Sequence, residues 1–228
     1  MDSRIKAVMD FVRAGNRVAD IGADHGYLSI ELVKNNLAAK VIATEKNIYP
    51  FEFLSKNISG FNRIEARRGD GLKVLSAGEV DTICIAGMGG ALIVKILEES
   101  PEVVQSARQI ILQPMNSIKK VREYLAEQNF TIIDEDLAES VGIIYEIICA
   151  EKNSEPKEIF KREKSPLLKK FRIQRLEKLE KVLFEMGKSI SAQKSEKYLA
   201  LRAEFDALNK IIRATQIQAR QCEPSFPL

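Results

Sequence analysis

Apolar residues in the first 150 positions follow two rhythms that take turns. Short segments at 17–22, 40–45, 64–68, 80–86 and 109–112 read as strands, the fourth with a nearly continuous apolar stretch. Between them, Tyr27, Leu28, Ile30, Leu32 and Val33 share one side of a helix over 27–35. Further helices are predicted over 50–58, with Pro50 in the first turn, over 91–98 and over 118–128. Two more strands, 130–137 and 143–150, are joined only by residues 138–142. Strand–helix alternation predicts parallel strands linked by right-handed crossovers. A connection as short as 138–142 is too short for such a crossover, so the last two strands are expected to be antiparallel. The fold class read from this pattern is α/β, a mostly parallel seven-stranded sheet.

Beyond Ala150 the pattern changes. Residues 151–166 are polar and charged and contain Pro156 and Pro166, as a linker would. Leu176, Leu179, Leu183, Met186 and Ile190 then recur at alternating spacings of 3 and 4, as do Tyr198, Leu201, Phe205, Leu208 and Ile212. Each set falls on one narrow helical stripe. With a turn within 187–195, residues 167–228 are expected to form an antiparallel helical hairpin. A monomer is expected, with a dimer seam along the stripes left open. The end, Cys222 to Leu228, is expected to fray. The organisation is thus a domain over 1–150, a linker over 151–166 and a hairpin over 167–228.

Charge adds a contrast. The net charge of +3 combines 18 basic and 11 acidic residues after Ala150 with an acidic surplus before it. A basic hairpin suits a polyanionic partner, and equally a lysine-rich solvated surface. At 45% hydrophobic residues the chain can bury a real core, and no apolar run reaches the roughly 18 residues needed to cross a bilayer. Charge appears early at the N-terminus and no apolar leader core follows, so a cytoplasmic protein with no membrane partner is expected. Cys84, Cys149 and Cys222 are widely spaced and predict reduced thiols. With His25 the only histidine, neither a histidine-based metal site nor a Ser-His-Asp triad is expected.

The chemistry concentrates where predicted strands end. Val18-Ala-Asp20-Ile-Gly22-Ala-Asp24-His25-Gly26-Tyr27 runs from strand through a glycine turn into a helix, a geometry that presents backbone amides to a nucleotide. A dinucleotide fingerprint needs a second glycine where Asp24 stands. Two carboxylates around the loop disfavour a phosphate and suit a cation, such as the sulfonium and ammonium groups of S-adenosylmethionine. The plainer alternative is a turn with a capping aspartate. Glu45, at the next strand end, is placed to accept ribose hydroxyls. Asp70, before Gly71, could accept the adenine amine. Asp20, Glu45 and Asp70 thus end three successive strands. After the fourth strand, Ala86-Gly87-Met88-Gly89-Gly90 leaves the backbone bare at the sheet's carboxyl edge. After the fifth, Gln113-Pro114-Met115-Asn116 offers two amides that could read a base edge, or a helix cap at Asn116 or Ser117.

Asp20-Ile-Gly-Ala-Asp-His-Gly-Tyr-Leu28, Gly69-Asp-Gly-Leu72, Ile85-Ala-Gly-Met-Gly-Gly90 and Leu112-Gln-Pro114, in that order, resemble the bacterial tRNA (adenine-22-N1)-methyltransferases. The resemblance spans the whole chain, since that family carries a C-terminal coiled-coil-like helical domain after a Rossmann-like methyltransferase domain. It implies S-adenosyl-L-methionine as cofactor, held near Asp20, Gly22, Asp24, Gly26, Tyr27, Glu45, Lys46, Asp70, Gly71, Ala86 and Gly87. It also implies tRNA as substrate, with Met88, Gly89, Gln113, Pro114 and Asn116 facing the target base. Lys169, Lys170, Arg172 and Arg175 at the start of the hairpin become candidates for phosphate contacts. In the family an asparagine directly follows Gln-Pro; here Met115 intervenes before Asn116. Asp24 and Tyr27 are the catalytic candidates. A small-molecule methyltransferase, or a non-catalytic RNA-binding module on the same fold, are the competing readings.

Overall fold

The computed structural model describes residues 2–221, with side chains through 214. Cys222 and the tail to Leu228, expected to fray, lie outside the described residues. The chain divides into two compact units, Met1–Ser165 and Pro166–Leu228.

The first unit is built on seven strands: β1 Asn16–Ile21, β2 Ala38–Glu45, β3 Ile64–Arg68, β4 Thr82–Met88, β5 Gln109–Pro114, β6 Thr131–Ser140 and β7 Ile143–Glu151. Their order in the sheet is β3-β2-β1-β4-β5-β7-β6. The first five strands run parallel. β6 is antiparallel to β7, as the short connection required, and β7 is also antiparallel to β5. Helices α1 Ser3–Met9, α2 Tyr27–Lys34, α3 Ile48–Asn57, α4 Gly90–Glu98, α5 Pro101–Ser106 and α6 Ile118–Glu127 cover the sheet.

Because both faces are covered, the central strands carry apolar side chains on both. Ile21, Ile83, Ile85 and Leu112 pack with Leu97, Val121 and Leu125 on one face. Val18, Val41, Cys84 and Ile111 pack with Val8, Leu32 and Leu54 on the other. Cys84 and Cys149 are free, buried thiols.

Two helices of this unit were not anticipated. The first, α1, has Asp2 accepting the Arg4 amide as its N-cap, and Ile5, Val8 and Met9 line its apolar side, with Val12 just beyond its end. That i, i+3, i+4, i+7 signal is present in the sequence. The other, α5, has only six residues with proline in its first turn, too few to show a period. The polar stretch after β7 is pinned to the same unit. Lys157 reaches buried Asp134 at 2.6 Å, and Arg162 reaches buried Glu135 at 2.8 Å.

The second unit comprises α7 Leu168–Gly187, the short α8 Ile190–Gln193 and α9 Glu196–Gln221. Leu179 and Leu183 are buried in it. Arg175 forms a two-pronged pair with Glu204, at 2.6 and 2.8 Å. Ile190 departs from the expected stripe: α7 ends at Gly187, so Ile190 begins a separate turn and is 74% exposed.

Candidate active site

The strand order reverses direction between β1 and β4, and in doubly wound sheets the crevice for ligands opens at that point, beyond the carboxyl ends of the strands. A cleft of about 630 Å³ lies there. Its walls include Asp20, Gly22, Asp24 and Tyr27 from the end of β1 and the start of α2, Ala86 and Gly87 from β4, and Gln113 from β5.

Asp20 lies in the middle of the sheet, opposite Ala43 of β2 and Cys84 of β4. It is 6% exposed. Its partner is the Ser29 hydroxyl, which donates to Oδ2 at 2.7 Å. Burial pushes the Asp20 carboxyl up to about 6, against the pull of the Ser29 hydrogen bonds. A buried carboxylate in this state favours a cationic neighbour, which would hold it ionised.

The loop after β1 turns on backbone that few side chains tolerate. Gly22 has φ +68°, and a Cβ there would meet Met88 Cε at 2.2 Å. Gly26, at φ +74°, is the N-cap of α2 and makes no side-chain cap bond. Asp24 therefore does not cap the helix. It too has positive φ, +51°, and its exposed carboxylate stands 3.7 Å from His25 Nε2. Tyr27 is 59% exposed. The His25 ring lies 5.5 Å from that of Tyr27 and 6.0 Å from that of Phe53, a small aromatic surface beside the cleft.

The other two strand-end acids sit on the same edge, outside the walls of this cleft. Glu45 is buried, and its Oε1 accepts the Asn47 amide at 2.9 Å. Asp70 is half exposed; Lys46 donates to it at 3.1 Å and holds its carboxyl below the ordinary carboxylate value. Lys46 and Asp70 are therefore a pair, with Gly71 opening the 3-10 turn after Asp70.

On the opposite side, Met88 lies over Gly22. Gly89 and Gly90 press on the chain after β5: a Cβ on Gly89 would be 3.3 Å from Asn116 Oδ1, and the Gly90 amide donates to the Asn116 carbonyl at 3.1 Å. Ser117 is the N-cap residue of α6, without a side-chain cap bond. Pro114 ends β5 beside Met88. Gln113 is 1% exposed, and its Oε1 accepts the Gly87 amide at 3.0 Å.

Sequence reasoning passed over one wall of the cleft. Asp2, Arg4, Ile5 and Val8 of the N-terminal segment line it, together with Glu31. Arg4 pairs with Asp2 at 2.8 Å and lies over the Tyr145 ring. The helical period of α1 was the signal available.

The basic candidates belong to the other unit. Lys169 and Lys170 are exposed, Arg172 is half-buried, and Arg175 is engaged with Glu204. Among the described residues no helix is long and apolar enough to cross a membrane, and no three potential metal ligands cluster.

The family profile described as "Methyltransferase domain" matches residues 1–148. A curated relative, the tRNA (adenine(22)-N(1))-methyltransferase of Bacillus subtilis (strain 168), is 40% identical over 154 residues, which are 66% of this chain and 65% of that protein. The chain thus spans just under two thirds of the relative's length in that match. Two solved structures extend the similarity to the helical part. The B. subtilis M1A22 tRNA methyltransferase TrmK superposes with a TM-score of 0.79 at 30% identity, covering 93% of this chain and 98% of that one. Streptococcus pneumoniae Sp1610, a putative tRNA (m1A22) methyltransferase solved in complex with S-adenosyl-L-methionine, gives a TM-score of 0.77 at 30% identity, covering 93% and 100%.

Proposed function

This chain belongs to the tRNA (adenine-22-N1)-methyltransferase family, and from that premise we propose that it transfers a methyl group from S-adenosylmethionine to N1 of adenine 22 in tRNA. The observation that carries the reading is Asp20: a buried carboxyl, raised by burial, in a cleft at the point where the strand order reverses. Such a group fits a donor that brings its own positive charge.

The residues present fit S-adenosylmethionine. Asp20 would hold the cationic end, the bare Gly22 and Gly87 backbone would allow close approach, and Glu45 would take the ribose hydroxyls. Asp70, already ionised against Lys46, would receive the adenine amine. When bound, the cofactor supplies an electrophilic methyl group on a sulfonium.

The protein's task is then to deliver a base. Adenine must leave its stack or pair to enter the cleft. Its N1 already bears a lone pair at neutral pH, so no general base is needed before attack. Positive charge builds on the adenine ring during transfer, and a fixed carboxylate beside it stabilises that charge. Asp24 has the exposure and position for this role. Tyr27, exposed at the cleft mouth, would stack on the base and fix its plane. Lys169, Lys170, Arg172 and Arg175 would supply phosphate contacts that hold the tRNA without reading its sequence.

The test is direct. Purified protein is incubated with cofactor and unmodified tRNA, and the tRNA is digested and mapped by mass spectrometry. One added methyl, as 1-methyladenosine at position 22, is expected. Methylation at another site, or of a small molecule only, overturns the assignment.

A further inference from the structure

We propose that Gln113 identifies the target base as adenine by gripping its N6/N7 edge, an inference that rests on the proposed function. Gln113 lies near the end of β5 and forms part of the cleft wall with Asp24 and Tyr27. The Gly87 amide donates to its Oε1 at 3.0 Å. Only an oxygen can accept that bond, so the orientation of the carboxamide is fixed. Its Nε2 is then a buried donor with no hydrogen-bond partner among the described residues, in a side chain 1% exposed.

Buried donors are rarely left unmade, and one at a ligand cleft calls for an acceptor from the ligand. The Oε1 atom keeps a second lone pair. The wall therefore offers a donor and an acceptor side by side, in fixed order. Adenine matches that order: N7 accepts from Nε2, and the N6 amine donates to Oε1, the pairing amide side chains make with adenine generally. Guanine does not match, because O6 would face Oε1.

The grip also serves the reaction. Held by N6 and N7, the base leaves N1 free to face the methyl donor. The N1 lone pair forms the new N–C bond, and the S–C bonding pair stays on sulfur as a neutral thioether. The positive charge that appears on adenine spreads to N6, whose hydrogens then bind Oε1 more strongly. Gln113 would thus favour the transition state over the bound substrate.

The test uses the full-length protein and tRNA carrying 7-deazaadenosine at position 22, which lacks only the N7 acceptor. Wild-type kcat/KM should fall about 10- to 100-fold on this tRNA, the range of one base-edge contact. Gln113→Met, similar in size, should lose a comparable factor on ordinary tRNA and show no further loss on the 7-deaza substrate. Its affinity for S-adenosylhomocysteine by calorimetry should stay within about twofold of wild type. Equal wild-type turnover of the two tRNAs refutes the grip whatever the variant does. A loss of about tenfold or more in S-adenosylhomocysteine affinity in the variant means that Gln113 acts on the cofactor, directly or through the Gly87 amide that Oε1 holds, and also refutes the grip. Failure of wild type to methylate either tRNA overturns the proposed function and this inference together.

Discussion

Replacing Asp20 with asparagine (Asp20→Asn) should make the protein more stable and less able to bind its cofactor. In the folded chain burial raises the Asp20 carboxyl to about 6, from an ordinary value of 3.8. The folded state therefore holds a proton on Asp20 between these values, whereas the unfolded state has released it. Stability falls as pH rises through that window and stays lower above it. At 1.36 kcal/mol per pKa unit, the full penalty is about 3 kcal/mol at pH 8 and about 1 kcal/mol at pH 4.5. Asparagine is nearly isosteric, and its Oδ1 can still accept the Ser29 hydroxyl that now donates at 2.7 Å. It removes the penalty, less whatever its own amide hydrogens cost if unpaired. In a domain of this size the gain corresponds to a rise in Tm of up to about 10 °C at pH 8, shrinking toward pH 4.5. Cofactor binding moves the other way: losing a charged partner should weaken S-adenosylmethionine binding about 10- to 100-fold. In wild type, the same coupling predicts affinity falling about tenfold per pH unit below 6, since Asp20 must shed its proton to meet a cation. Thermal melts from pH 4.5 to 8 and calorimetry over the same range test both halves. A variant less stable than wild type at pH 8, or one that binds the cofactor normally, would refute the reasoning.

Other residues should separate chemistry from binding. Asp24→Asn, at an exposed position, should leave folding within about 0.5 kcal/mol of wild type and lower turnover on tRNA with little change in cofactor affinity; single-turnover rates beside calorimetry decide this, and full activity removes Asp24 from the mechanism. Gly22→Ala should destabilise by about 1–3 kcal/mol, chiefly because alanine is strained on backbone with φ +68°, while the Met88 methyl 2.2 Å from the new Cβ can swing aside; an unchanged denaturation midpoint would contradict it. Lys169→Gln combined with Lys170→Gln should weaken tRNA binding and lower the salt slope of log K by about 1–2, with cofactor binding untouched; an unaltered slope means that these lysines meet no phosphate.

The fold was largely readable because its rules are local. Alternating rhythms over 17–128 specify parallel crossovers, and the connection 138–142 forces the antiparallel hairpin of β6 and β7. What escaped was short or lay at an edge. Helix α5 spans less than two turns. Helix α1 was legible at Ile5, Val8, Met9 and Val12, but it is brief, precedes the first strand and falls outside the strand–helix alternation, although it forms one wall of the cleft. The stripe through Ile190 failed because heptad spacing continues on paper across a turn where the helix itself has stopped.

The site shows a different limit. Spacing places Asp20, Glu45 and Asp70 at three strand ends and treats them alike. Three dimensions make them unlike: Asp20 is buried beside the serine of α2, Glu45 is buried and bonded to its own turn, and Asp70 is an exposed partner of Lys46. Burial is the variable that periodicity cannot rank at a strand end, because the last residue of a strand is inside or outside according to the loop that follows. It is also the variable that sets the chemistry. Water screens Asp70, so its charge is steady and its contribution to binding modest. Asp20 is screened from water, so it keeps its proton up to about pH 6, and a cation beside it favours the ionised form, which makes the binding of that cation pH-dependent. The same reasoning applies to Gln113, whose two polar ends are equivalent in the sequence and become distinct only because the Gly87 amide occupies one of them.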